Sequence, residues 1–326
     1  MTGKLGMTGD VKMDGQVRTS IVQDNRASRL ASVVIQGGTH SSGKIAIVDV
    51  DGILINKNLS GIGSMGENPV AIFREKLDAI RKDPGIRAVV LRINSPGGGV
   101  TATDIMSRDL QQFREETMLP IIACFMDVGA GGAYYLATHT DAIIAHPTSL
   151  VGGIGVILNV YNLEDSLNQY NVESSPIKAG DQIDIASVER KMDKAEREAL
   201  QKIANSFHAR FIAHVKAVRP RSSDKASNFE GGVITGSDAL EAGLVDQTGY
   251  LDDAIQLAKT RCNVGENPCV VMLRRENDRA YTQFDITPNT PQATIPLKLP
   301  GFQRSSLPTF LYLWQPDPSF LTSVDG

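Results

Sequence analysis

Residues 126–160 read MDVGAGGAYYLATHTDAIIAHPTSLVGGIGVILNV, a run in which small residues crowd around one short helix-like segment. Gly129, Gly131 and Gly132 mark one tight turn, and Gly152, Gly153 and Gly155 mark another. Upstream, INSPGGGV at 93–100 predicts a third turn over 94–99. Turns of this kind close a buried strand, open a helix, and aim backbone N–H groups at an anion or a polarised carbonyl. Three of them so close together predict a ligand groove, and the question they raise is whether a nucleophile stands beside it.

Working outward, the apolar run KIAIVDVDGILI at 44–55 has the β-branched content of a buried strand, with a loop expected at 58–66. Asn68 and Pro69 then open a helix whose apolar positions Val70, Phe73, Leu77 and Ile80 recur at helical spacing. Strand, helix and strand follow at 86–93, 101–116 and 121–126, then a short helix at 134–138 and strands at 141–145 and 156–160. Strands alternating with helices predict an α/β fold with a mostly parallel sheet and right-handed crossovers. A long helix near 193–218 carries a stripe of Ala199, Ile203, Phe207, Phe211 and Val215, expected to face the core.

The ends differ in kind. Residues 1–42 are polar and rich in Gly, Ser and Thr, which predicts an arm; 43–262 form the main domain; 263–326 form an extension with a strand at 268–275 and a proline-rich tail. The aromatic cluster at 310–314 is expected to clamp that tail onto the chain's own core. In a chain of 326 residues with net charge −4 and cations interspersed among acids, no basic face for nucleic acid is expected. Cys124, Cys262 and Cys269 lack metal-binding spacing, as do the five histidines, so neither metal nor cofactor is expected. With neither an apolar leader nor a run long enough to span a bilayer, a cytoplasmic location is expected, with peripheral membrane contact left open.

Four blocks in fixed order carry a family resemblance: INSPGGGV, GAGGAYYLATHTDAIIAHPTSLVGGIGV, IKAGDQIDIAS and ITGSDALEAGLVDQTGYLDDAI. The region from Ile45 to Ala258 resembles the signal peptide peptidase A (SppA) family of serine peptidases. That resemblance implies a Clp/crotonase-like spiral of ββα units with a parallel sheet, here with extended N- and C-terminal arms. It also implies a Ser/Lys dyad, in which serine attacks the scissile carbonyl and a neutral lysine takes its proton.

Aligned on the paired tyrosines, the nucleophile's position in this chain is Gly131. The position of a second serine that orients the lysine is Gly153, and the position of the base is Ile183. Glycine has no side chain to attack with, and an alkyl group accepts no proton. By the same resemblance the N–H groups of Gly98 and Gly132 form the oxyanion hole. The alternative reading is that these glycines stand there because only glycine fits the turns.

Three functional classes follow. The first is a pseudopeptidase that binds a peptide or polypeptide segment, or completes a homo-oligomer or a mixed oligomer with an active paralogue. The second is an active serine endopeptidase using a displaced or shared dyad, with Ser149 and Lys178 the candidates. The third is a crotonase-type acyl-CoA enzyme, because that fold also sets two backbone N–H groups on a thioester oxygen. The loss of three coupled positions favours the first.

Overall fold

The computed structural model describes residues 30–38, 43–57, 67–224, 226–264, 268–275, 281–284 and 310–314. Most of the expected N-terminal arm, the loop expected at 58–66 and most of the proline-rich tail lie outside the described residues. The strands are β1 Leu30–Gln36, β2 Lys44–Leu54, β3 Ile86–Gly99, β4 Ile121–Ala130, β5 Ala142–Ala145, β6 Leu150–Gly152, β7 Val233–Thr235, β8 Gln247–Thr248, β9 Cys269–Arg275 and β10 Leu311–Leu313. The α-helices are α1 Pro69–Lys82, α2 Val100–Thr117, α3 Gly132–Ala137, α4 Glu164–Gln169, α5 Lys194–Val218, α6 Gly236–Glu241 and α7 Leu251–Cys262.

The sheet runs β1-β9-β2-β3-β4-β5-β8, and every pair from β9 to β8 is parallel. This is the mixed α/β architecture with a largely parallel sheet that the alternation of elements predicts. Its central strands are apolar on both faces because helices cover both. Ala46, Val48, Val89 and Leu91 face a cluster that includes Phe73, Leu77, Leu110 and Phe113 of α1 and α2. Ile45, Ile47, Val90 and Ile122 face Leu251, Ala254 and Ala258 of α7.

α1 begins where the sequence predicts, with the Asn68 carboxamide oxygen accepting from the Val70 and Ala71 N–H groups at 3.0 and 3.3 Å. α5 begins with a capping box between Asp193 and Glu196. Its stripe reaches the core only in its second half. Phe211 and Val215 are fully buried, whereas Ile203 is 41% exposed.

Three expectations need correction. Leu30–Gln36, assigned to the arm, instead forms β1, whose alternating half-buried and exposed residues lie antiparallel on β9. The turn expected over 94–99 is instead the irregular continuation of β3, which pairs with both β2 and β10 and takes a positive φ at Gly97. The strand expected at 156–160 shrinks to one bridge, Ile157 with Leu311.

Strand β4 changes partner along its length, and this builds the site. Residues 122–125 pair with β5, while residues 128–130 pair with β6. The strand can bend there because a Cβ at Gly129 would sit 2.1 Å from the Phe125 ring. Past this point the far end of β3 pairs with β2 and β10, the far end of β4 pairs with β6, and β6 pairs in turn with β7.

Beneath the other half of the sheet lies a buried charge cluster. Asp49 on β2 meets Arg92 Nη2 of β3 at 2.8 Å, Arg274 Nη2 of β9 at 3.1 Å and Lys76 Nζ of α1 at 3.8 Å. All four are almost fully shielded from solvent. Burial, and secondly the charge of Asp49, push the neighbouring Asp51 carboxyl up to about 6. Arg92 also donates from Nη1 to the Gln283 carbonyl oxygen, and Gln283 Nε2 donates to Asp252 of α7 at 2.7 Å, so the C-terminal stretch is tied down at this point. Asp49→Ala is expected to cost about 3–5 kcal/mol in urea unfolding, because it strands buried cations. A loss under about 1 kcal/mol would show that water or Asp51 replaces the carboxylate.

Candidate functional site

The site lies where the far ends of β3 and β4 meet the first turn of α3. Gly131 precedes that helix at φ 53°, ψ −125°, a strained conformation that residues with a side chain rarely adopt. Its N–H donates to the Gly152 carbonyl at 2.9 Å. Gly153, at φ 62°, lies alongside: a Cβ there would sit 3.0 Å from the Gly131 nitrogen. Of the three positions singled out for the dyad, Gly131 and Gly153 are therefore neighbours in space. Gly98 is just as confined, since a Cβ on it would fall 2.0 Å from the Leu54 carbonyl oxygen.

A peptide strand fills the groove between these glycines and Ile157. It is β10, from the chain's own C-terminal stretch, antiparallel to β3 with Tyr312 opposite Gly98. Val100 N–H donates to Phe310 O at 3.1 Å and Trp314 N–H to Pro96 O at 3.0 Å. On the other edge, Leu311 and Ile157 exchange both backbone hydrogen bonds at 2.9 Å. Strand addition of this kind satisfies the polar backbone on both sides and leaves alternate side chains to find pockets. Tyr312 finds one: its ring lies 4.7 Å from Phe211 and 5.8 Å from Tyr135, and its hydroxyl donates to Phe207 O at 2.9 Å. The Val100 contact also uses one of the N–H groups that the start of α2 leaves without a helical partner.

The Tyr312 carbonyl oxygen occupies the space lined by Gly97, Gly131 and Gly132. Measured from where a Cβ would stand, it lies 2.0 Å from Gly97 and 2.3 Å from Gly131, and the Gly132 nitrogen lies 2.6 Å from the same point on Gly97. A backbone carbonyl thus sits among the groups that the sequence marks as nucleophile position and N–H donors.

The other expected residues are placed elsewhere. Ile183 is 73% exposed on the segment before α5, and its described hydrogen bond is to Gly180 O within that segment. Lys178 Nζ pairs with Asp184 Oδ1 at 2.8 Å, and Arg190 holds the same carboxylate. Hydrogen bonds first from Arg190 and then from Lys178 hold Asp184 well below the usual carboxylate range. Ser149 is fully buried, its hydroxyl donating to the Phe125 and Met126 carbonyl oxygens where β4 bends. The structure therefore does not bring Ser149 and Lys178 together. Ser95 accepts from the Gly97 N–H at 3.1 Å, and burial pushes the Cys124 thiol up to about 12, far from thiolate reactivity. Among the described residues, no group of three or more His, Cys, Asp or Glu is arranged to hold a metal ion, and no helix is long and apolar enough to cross a membrane.

Residues 113–265 match peptidase family S49. The chain is 29% identical over 220 residues to the putative signal peptide peptidase SppA of Enterococcus faecium, covering 67% of this chain and 64% of that one. It is 32% identical over 204 residues to a putative protease of Methanocaldococcus jannaschii, with 62% and 65% covered. It is 34% identical over 201 residues to the chloroplastic serine protease SPPA of Arabidopsis thaliana, with 61% and 29% covered. The chain thus spans less than two thirds of the length of each of these relatives. A solved structure of a 1510-N membrane-bound stomatin-specific protease mutant in complex with a substrate peptide aligns at TM-score 0.40 and 15% identity, over 67% of this chain and 80% of that one.

Sequence reasoning missed the histidine pair behind the groove, because His139 and His214 are far apart in the chain and no local spacing links them. Their rings stack at 4.5 Å, 15° from parallel, and His214 lies 4.6 Å from the Tyr135 ring that supports Tyr312. His214 Nε2 shares a 2.8 Å hydrogen bond with Thr138 Oγ1. Burial, and then the neighbouring His139, hold His214 down at about 4; burial lowers His139 as well. Because the unfolded rings titrate near ~6.5, the unfolded chain binds more protons between that pH and ~4. The contribution of this pair to stability is thus full above about pH 6.5 and is lost as the pH falls toward 4, while the raised Asp51 carboxyl acts in the opposite direction over the same range. Relative to His214→Gln, the unaltered chain is expected to lose about 1 kcal/mol more in urea unfolding between neutral pH and pH 5, after allowance for solvent screening at the partly exposed ring. His214→Gln should flatten that slope, and an unchanged slope in the variant would show that the pair is not its source.

Proposed function

From the premise that the chain belongs to peptidase family S49, among the SppA-type serine peptidases, we propose that it is a pseudopeptidase, a groove that binds extended peptide without cutting it. The observation that carries this reading is Gly131, which meets a peptide carbonyl with no side chain at all. Gly131 stands in the place of the nucleophile, Gly153 in that of the orienting serine and Ile183 in that of the base. Backbone polarisation from Gly98 and Gly132 remains, but polarisation without a nucleophile or a base leaves only residual catalysis. The engagement of Ser149 with two carbonyl oxygens and of Lys178 with Asp184 supports the same reading.

The ligand class is an extended polypeptide segment, recognised by backbone pairing on both edges and by an aromatic side chain in the pocket of Phe211 and Tyr135. In this role the chain acts as a binding subunit, alone or assembled with a catalytically intact relative. The decisive experiment is labelling with a fluorophosphonate probe beside an active SppA-type peptidase. No labelling and no hydrolysis of an unfolded protein substrate are expected. Labelling that Ser149→Ala abolishes would overturn the proposal and establish a displaced nucleophile.

A further inference from the structure

Gly131 and Gly153 share a second property besides being glycine: both lie directly under β10. A Cβ on Gly131 would fall 2.3 Å from the Tyr312 carbonyl oxygen and 2.8 Å from its carbonyl carbon; a Cβ on Gly153 would fall 3.2 Å from Trp314 Cβ. The first of these is an approach that real Cβ atoms do not make, and its neighbour is backbone, which cannot rotate away. The strand itself is held as a bound ligand would be. It makes backbone hydrogen bonds to β3, to the start of α2 and to Ile157, and Leu311, Tyr312 and Leu313 are each less than 9% exposed.

We propose that the resident ligand of the groove is the chain's own segment 310–314, seated in cis, and that strand and glycine depend on each other. The loss of the nucleophile's side chain is what admits the Tyr312 carbonyl, and the seated strand in turn leaves no room for that side chain to return. The groove is then a peptide site with a built-in occupant, and a competing peptide must be extended, apolar and aromatic at the position of Tyr312. This rests on the peptide-groove reading above and adds to it the identity of the occupant and the reason for Gly131.

Trp314 is the one tryptophan of the chain, so its emission reports on the strand alone. The full-length chain is compared with two full-length variants, Leu311→Pro, which removes the donor to Ile157 O, and Gly131→Ser, which places a side chain under Tyr312. Circular dichroism checks that each is folded. Both variants are expected to shift Trp314 emission to the red and to speed amide exchange at Val100 and Ile157 at least about tenfold. A fluorescein-labelled synthetic peptide of residues 308–316 is expected to bind Leu311→Pro at least about tenfold more tightly than the unaltered chain, and to gain nothing on Gly131→Ser.

Unchanged emission and exchange in a folded Gly131→Ser chain would overturn the dependence. Equal peptide affinity in the unaltered chain and Leu311→Pro would overturn occupancy in cis. If Leu311→Pro frees the strand but binds no added peptide, occupancy in cis stands and the peptide-binding function proposed above falls.

Discussion

The contact on which the groove depends is between two stretches of bare backbone: the Tyr312 carbonyl against Gly97 and Gly131. Nothing wider than a hydrogen atom fits at those α-carbons. Backbone-to-backbone approach of this kind is available to glycine alone, and two of the residues involved also hold positive φ, Gly97 at 103° and Gly131 at 53°. Steric room and backbone conformation therefore converge on the same residue type.

That contact sits where the sheet branches. β4 pairs with β5 over 122–125 and with β6 over 128–130, and the Ser149 hydroxyl lies at the change of partner, bonded to the Phe125 and Met126 carbonyl oxygens. Residues with the chemistry of a nucleophile can thus be spent on architecture. Ser149 pins the bend in β4 through its hydroxyl, and Lys178 is held in an ion pair with Asp184.

The alternation of strands and helices was legible because burial on both faces of a parallel sheet demands continuous apolar runs, and β2, β3 and β4 carry them. The glycine blocks were legible for a related reason, since backbone crowding tolerates few substitutes. What could not be read were contacts whose two halves lie far apart in the chain. Nothing in LASVVIQ specifies β9 as its neighbour, and Phe-Leu-Tyr-Leu-Trp at 310–314 announces an apolar anchor without saying where it docks. The run at 94–99 misled because glycine and proline ordinarily break strands; here β2 and β10 supply the pairing that local sequence does not. The pairing of His139 with His214 was invisible for the same reason of distance, and Ile203 looked like core because periodicity does not reveal how far along a helix its partners extend.

The tie between Arg92 and Gln283 has a kinetic and thermodynamic consequence for whatever visits the groove. A segment already anchored at Gln283 is a tethered ligand, and tethering sets an effective concentration on the order of millimolar for linkers that span their sites comfortably. A free peptide of equal intrinsic affinity would have to exceed that local concentration before it occupied half of the molecules. Only a segment delivered by another tether, or one that binds far more tightly than β10, would displace it at cellular abundance. The threshold for admission is then set as much by the geometry of the chain as by the chemistry of the cleft.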